Sequence, residues 1–301
     1  MKPQRTPAAD DLLVFLVVAR LGRYNAAAQA LGITHTTVSR HIAALESRLG
    51  GRVLERSAMG WELTPLGSVA IKTAEEIERS LGSLDAALAR DEDPVSGLVR
   101  LSAPDGFAAH VVVPAIARVQ RTHPKLDVEM ISATRRVSQN RSGLDVEIIA
   151  GGIDTSRAET YFLTDYFLRL YATREYLDRA GEPVRTDQLS QHTLISYVES
   201  ELQVKQLGYR STGLPAPARH VQCTSIFAQV EAVRCNAGIG LLPSFMVHGQ
   251  ADIVPVLPGV FWKKLPFIAA AREVSLRSPG VQAVIRALLD EIRERQDQLA
   301  S

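Results

Sequence analysis

Cysteine is scarce in this chain, with two residues, Cys223 and Cys235, among 301. They form no CxxC pair and no multi-cysteine framework, so neither a metal site nor a disulfide scaffold is built on them, and they read as small apolar groups in a reducing, cytoplasmic setting. An excess of one charge is also lacking. Lys and Arg total 34 against 33 Asp and Glu, a net charge of +1, so any attraction to nucleic acid or membrane has to be local. Long hydrophobic runs are absent too: nothing approaches the roughly 18 apolar residues of a spanning helix. "LLVFLVVA" (12–19) is short, and Asp10 and Asp11 precede it where an export signal wants positive charge. Those aspartates suit a helix N-terminus. The expectation is a cytoplasmic protein with no membrane partner.

Catalytic signatures are missing as well. There is no GxSxG, HExxH, SxxK or P-loop pattern, and Gly238-Ile239-Gly240 continues as Leu-Leu-Pro rather than GxGxxG. The seven histidines are scattered, and His35 and His41 fall on different faces of a helix, which argues against a metal pair. Asp145 and Glu147 are spaced as same-face strand neighbours, as a catalytic carboxylate pair would be. A loop-to-strand aspartate followed by a polar edge residue is the simpler reading. The chain therefore reads as no enzyme, with no catalytic residues, no cofactor and no metal.

What is present begins with size. A chain of 301 residues that is 46% hydrophobic can bury about two cores. In "GITHTTVSRHIAALESRLG" (32–50), Val38, Ile42, Leu45 and Leu49 recur at i, i+4, i+7 and i+11, the period of a helix with one buried face. The opposite face carries Thr36, Arg40, Ala43 and Ser47, flanked by Thr37 and Ser39, where an ordinary solvated face would use Glu, Lys and Gln. Short hydroxyls reach base edges and phosphates without filling a groove, Arg40 can hold guanine or phosphate bidentately, and alanines permit close approach. An apolar helix over about 10–20 precedes this one. "NAAAQAL" (25–31) starts on Asn25 as a cap, Gly32 ends it, and Thr34 caps the quoted helix. Two helices joined by a short Gly-containing turn make a helix-turn-helix. "RVLERSAMGWELT" (52–64) alternates about a Gly-containing turn and reads as a two-stranded wing.

Thr64 and Pro65 open a long helix running to about Arg90. Ala70, Ala74, Ile77, Leu81, Leu84 and Leu88 are spaced 4, 3, 4, 3 and 4 apart. That heptad seam suits another helix, in its own domain or in a second copy; the helix's length and the polar "RDEDPVSG" (90–97) after it favour a dimer. Beyond it strands alternate with helices: 98–103, 126–132, 144–151, 167–173 and 220–225 as strands, 110–124, 226–238 and 279–296 as helices. The pattern predicts an α/β domain with parallel strands. Three strand ends carry hydroxyls before a turn or helix: "RLSAPDGF" at Ser102, "EMISATRR" at Ser132 and Thr134, and "QCTSIF" at Cys223, Thr224 and Ser225. Ligands of α/β sheets sit at such ends, although helix capping alone also explains these residues.

The stretch "GRYNAAAQALGITHTTVSRHIAALESRLGGRVLERSAMGWELTPLG" resembles the N-terminal domain of LysR-type transcriptional regulators. "HVVVPAIARVQRTHPKLDVEM", "SGLDVEII", "LYATREYLDRAGEP" and "AVRCNAGIGLLPSF" are similar, more loosely, to successive segments of that family's effector domain. The resemblance implies a winged helix-turn-helix over 8–63 (helix-turn-helix 24–43), a dimerisation helix over 64–90 and a hinge over 91–97. An effector domain like the periplasmic solute-binding proteins would cover 98–301, with one subdomain over about 98–163 and 271–301 and the other over about 164–270. The implied DNA-binding residues are Asn25, Thr34, His35, Thr36, Thr37, Ser39, Arg40 and Arg56. The implied effector-binding residues are Ser102, Ala103, Pro104, Ser132, Thr134, Cys223, Thr224 and Ser225, and the dimerisation residues are Ile77, Leu81, Leu84 and Leu88. The implied partners are a partly palindromic double-stranded promoter site, a second copy of the chain in a dimer or dimer of dimers, RNA polymerase, and a small organic effector such as a carboxylate. His35 stands where the family commonly has glutamine and Glu147 where it usually has a small residue. Helix N-termini at the strand ends suit a carboxylate, whereas Asp105 and Glu147 suit a ligand with an amine or hydroxyls, and both readings stay open. A plain solute-binding protein lacks a use for the first ninety residues, and an enzyme on the same fold lacks its catalytic set.

Overall fold

The computed structural model describes residues 6–57, 60–88, 95–132, 144–151, 159–199, 207–271 and 273–300. They form two compact units, one over 6–88 and one over 95–300.

The first unit opens with α1 (Ala9–Leu21), α2 (Tyr24–Leu31) and α3 (His35–Leu49). Each ends on a glycine in the left-handed conformation, Gly22, Gly32 and Gly50. Thr34 caps α3 as its sequence predicts, its hydroxyl oxygen accepting from Thr37 N at 3.2 Å. Asn25 is not a cap: α2 starts one residue earlier, on Tyr24 after Arg23, and Asn25 lies exposed in the first turn. Phe15, Leu16 and Val18 of α1 pack with Val38, Ile42 and Leu45 in one buried cluster, so α1 is the hub of this core. The wing is an antiparallel pair, β1 (Leu54–Ser57) and β2 (Gly60–Leu63), with Arg56 opposite Trp61.

The long helix α4 (Pro65–Leu88) begins hard against the wing's approach. Thr64 N donates to Val53 O at 3.1 Å, and Gly67 N to the Thr64 hydroxyl at 3.0 Å. A side chain at Gly67 would put its Cβ 2.0 Å from the Val53 carbonyl oxygen, so only glycine lets the helix lie there. The apolar stripe of α4 divides. Ala70, Ile71 and Ala74 are buried against the unit's own core and Ile77 packs partly onto it, whereas Leu81 and Leu84 are exposed. The continuous seam read from the heptad spacing is thus split, because α1 covers the first half of the helix; Arg20 holds Glu78 there through two bonds of 2.7 Å. The Leu88 side chain lies outside the described residues.

Among the described residues the second unit is built on one mixed sheet of nine strands: β3 (Gly97–Ala103), β4 (Leu126–Ser132), β5 (Val146–Ala150), β6 (Glu159–Thr173), β7 (Thr193–Tyr197), β8 (Arg219–Cys223), β9 (Ile239–Pro243), β10 (Ile253–Val256) and β11 (Lys263–Ala271). The order is β4-β3-β5-β11-β6-β9-β7-β8, with β10 also on β6. β3 pairs in parallel with β4 and β5, and β7 with β8 and β9, as alternation with helices predicts. The all-parallel expectation fails in the middle. β6, fifteen residues long, and β11 run antiparallel to each other and to β9 and β5. The sequence pattern marked only the second half of β6 and did not single out β7, β10 or β11.

Helices cover this sheet. A helical turn at Asp105–Phe107 and a π-helical turn at Ala108–Val112 lead into α5 (Val113–Thr122); α6 (Arg174–Ala180), α7 (Ile226–Arg234) and α8 (Pro279–Glu294) follow. At the centre Phe107 and Tyr166 each contact Phe267, with ring centroids 4.2 and 4.3 Å apart, and Phe245 closes the cluster edge-on. Asp145, raised above as one of a carboxylate pair, accepts from Arg100 N and from the Ser275 hydroxyl and so ties α8's approach to the sheet. Gly67→Ala should destabilise the first unit by about 1–3 kcal/mol, the range for forced overpacking. Urea unfolding of a Trp262→Phe background, followed by Trp61 emission, reads that unit alone; an unchanged midpoint would show that α4 can shift off Val53 freely.

Candidate functional site

Two places in the described residues bring chemistry together, one in each unit. The first is the outer face of α3. Burial of Val38, Ile42 and Leu45 turns Thr36, Arg40, Ala43 and Ser47 outward, and all four are exposed, as are Thr34 and His35. Thr37 and Ser39 are half-buried at the edge of this face. Exposed Asn25 stands on α2 and exposed Arg56 on the wing. No acid lies on this face of α3 before Glu46, so it presents hydroxyls, an imidazole and a guanidinium.

Two devices hold α3 in place. Asp11 on α1 is 6% exposed and accepts from His41 Nδ1 at 2.7 Å and Arg48 Nη1 at 2.8 Å. One buried carboxylate thereby grips the helix at two points seven residues apart, two turns. Sequence reading assigned Asp11 only to its own helix terminus, since nothing local couples it to a histidine thirty residues on. The second device is aromatic. Tyr24 stacks on Trp61 of the wing with centroids 4.9 Å apart and meets the His35 ring at 5.6 Å. Burial, helped by the Glu46 carboxylate, pushes the Tyr24 hydroxyl up to about 12, so it stays neutral. Trp61 N also donates to Gly22 O at 2.9 Å, which fixes the wing to the turn after α1. Helix α3, its first exposed residues and the wing form one rigid presentation.

The second place is a cavity of about 50 Å³ of room for water centres in the second unit. It lies at the carboxyl ends of parallel strands, where α/β sheets open. Ser102 and Pro104 at the end of β3, Glu147 on β5 and Tyr197 at the end of β7 supply its edge, with Ile226 at the start of α7. Its floor is the aromatic cluster, Phe107, Tyr166, Phe245 and Phe267. Ser102 and Glu147 are direct register neighbours on β3 and β5, and both are buried. Burial raises both tyrosine hydroxyls well above their ordinary range, so each remains a proton donor; the Asp105 carboxylate adds to the effect at Tyr197. Among the described wall residues none is Lys, Arg or His.

Of the eight residues expected around a ligand, Ser102 and Pro104 line this cavity. Ala103 is buried but not part of the wall, since alternation along β3 turns it from Ser102. Ser132 is exposed, its hydroxyl donating to the Asp105 carboxylate. Cys223, Thr224 and Ser225 stop short of the wall, because α7 begins one residue later and presents Ile226 instead. Thr134 lies outside the described residues. The apolar floor was missed in the sequence because its members come from four separated segments. Among the described residues no three metal-binding side chains come together, and no helix is long and apolar enough to cross a membrane.

Two family models match the chain. "Bacterial regulatory helix-turn-helix protein, lysR family" covers residues 9–68, and "LysR substrate binding domain" covers residues 92–293. The uncharacterized HTH-type transcriptional regulator YhjC of Escherichia coli is 30% identical over 196 residues, 65% of each chain, so the match spans slightly less than two thirds of that relative. An HTH-type transcriptional regulator of Xanthomonas campestris is 27% identical over 94% of this chain and 85% of its own. In fold, the chain is similar to ArgP from Mycobacterium tuberculosis, with a TM-score of 0.72, 14% identity and coverage of 95% of this chain and 97% of that one.

Proposed function

The chain belongs to the LysR family of bacterial transcriptional regulators, and from that premise we propose that α3 reads a promoter site in the major groove while a small molecule in the second unit's cavity changes how the DNA is held. The exposed face of α3 carries the reading. Arg40 contacts guanine or phosphate, Thr34, Thr36, Thr37 and Ser39 contact base edges and phosphates near the helix's N-terminal end, and His35 takes the place of the family's usual glutamine. Asn25 and Arg56 hold flanking phosphates. Exposed Leu81 and Leu84 meet the same residues of a second copy, so that two half-sites of a partly palindromic sequence are read together in the cytoplasm, next to RNA polymerase.

The effector is an apolar molecule bearing a hydroxyl or an amine rather than a free carboxylate. Its apolar body suits the aromatic floor, its polar end the Ser102 hydroxyl and the Glu147 carboxylate; no described cation of the wall would offset an anion. Room for a few water molecules is too little for such a ligand. The ligand therefore binds a wider state of the cavity and shifts the population toward it, which is the coupling a switch needs.

A gel shift with DNA upstream of the gene tests the reading, with affinity falling steeply as salt rises. Arg40→Ala should weaken specific binding by about 1–3 kcal/mol and leave the dimer intact; wild-type affinity at physiological salt would remove Arg40 from the interface. Leu81→Asp should yield monomers by sedimentation and lose DNA affinity with them, whereas an unchanged oligomer would assign the exposed half of α4 elsewhere. With an effector found by thermal-shift screening, Ser102→Ala should weaken it by about tenfold while DNA binding persists, and Thr224→Ala should not. Equal effects of the two variants would move the ligand out of this cavity.

A further inference from the structure

A second cavity of about 210 Å³ lies in the same unit, away from the aromatic floor and sharing no wall residue with it. It opens where β6 changes partners. Lys263 of β11 stands opposite Leu168 and Val256 of β10 opposite Leu170, so Arg169 between them faces the connecting segment 257–262. That segment is held rigidly: Leu257 is buried at φ 54°, outside the range most side chains adopt, and its carbonyl accepts from both Val260 N and Phe261 N.

The wall is Arg169 with Pro255, Val256, Pro258, Phe261 and Trp262, and with Gly259 at the tip. The prolines offer no N–H, and among the described residues no acid lines the space. Arg169 Nε is buried without a hydrogen-bond partner, and no carboxylate among the described residues pairs with the guanidinium. The guanidinium lies over the Phe167 ring, with Cζ 5.4 Å from its centroid, and that ring in turn meets the Trp262 ring edge-on at 5.7 Å. Trp262 itself is 55% exposed at the mouth. A guanidinium that pairs with no described carboxylate, set among aromatic and proline surfaces, is built for a planar anion with an apolar body.

We propose that this cavity is a second small-molecule site, selective for an aromatic monocarboxylate whose carboxylate pairs with Arg169 and whose ring packs against Phe261 and Trp262. It takes the ligand chemistry the first cavity lacks, so the unit carries two inputs of opposite charge preference. The position of Trp262, one of two tryptophans in the chain, supplies the readout. In full-length protein carrying Trp61→Phe, benzoate should change Trp262 emission saturably, and neutral benzamide at the same concentration should not. Arg169→Gln should weaken the benzoate response by about tenfold or more, and Arg169→Lys should retain part of it. Trp262→Leu, at an exposed position that tolerates change, should weaken benzoate binding several-fold by calorimetry even if Arg169→Gln does not fold. No saturable response, an equal response to benzamide, or undiminished binding in either Arg169→Gln or Trp262→Leu would overturn the proposal.

Discussion

The second unit depends on the contact between Phe107, Tyr166 and Phe267. These rings come from the helical turn after β3 and from the two long antiparallel strands, and Tyr166 lies with centroids 4.3 Å from Phe267 in a nearly stacked pair. The same strands join the parallel sets on either side, β3–β4–β5 and β7–β8–β9. A register shift between Phe267 and Ile268 falls where β11 passes from one set toward the other. The aromatic cluster is thus both the core that holds the strands together and the floor of the first cavity. A ligand that parts its rings works directly against the unit's own packing, and burial of aromatic surface is worth about 25 cal/mol for each Å².

In the first unit the governing constraint is the attachment of α3. Its apolar stripe decides which residues face out, and Asp11 decides its rotation and slide through His41 and Arg48. The stack of Tyr24 on Trp61 adds the wing to the same body. Reading bases requires side chains placed to within a fraction of an ångström. A helix held by packing alone could rock about its stripe; one gripped by a buried carboxylate and an aromatic stack is held in several directions at once.

How far the chain could be read depended on how local each signal was. The helix-turn-helix and the start of α4 rest on contacts within a few residues: Thr34 and Thr64 cap as their local context predicts, unlike Asn25, and the α3 stripe is buried where periodicity placed it. β11 escaped notice because "KKLPFIAAA" mixes a proline and an alanine run that suggest no strand. Pro266 is accommodated because the register shifts just beyond it and its carbonyl still accepts from Gly151 N. Ser102 is legible as the end of a strand, and Glu147, its neighbour across the sheet, as an acid that bears on the ligand only through the family resemblance; its spacing from Asp145 alone suggests a polar edge residue, although β5 is buried throughout.

The sequence by itself determined the helix-turn-helix, the outward face of α3 and the start of α4, since each follows from spacings along a single segment. Only the tertiary structure decided which half of α4 is covered, that the central strands run antiparallel, that Ile226 rather than Thr224 reaches the cavity, and that no described carboxylate pairs with Arg169. Each of these is a matter of which distant segment lies opposite. Long-range pairing is settled by the competition of the whole chain for burial and hydrogen bonds, and no window of neighbouring residues contains that information.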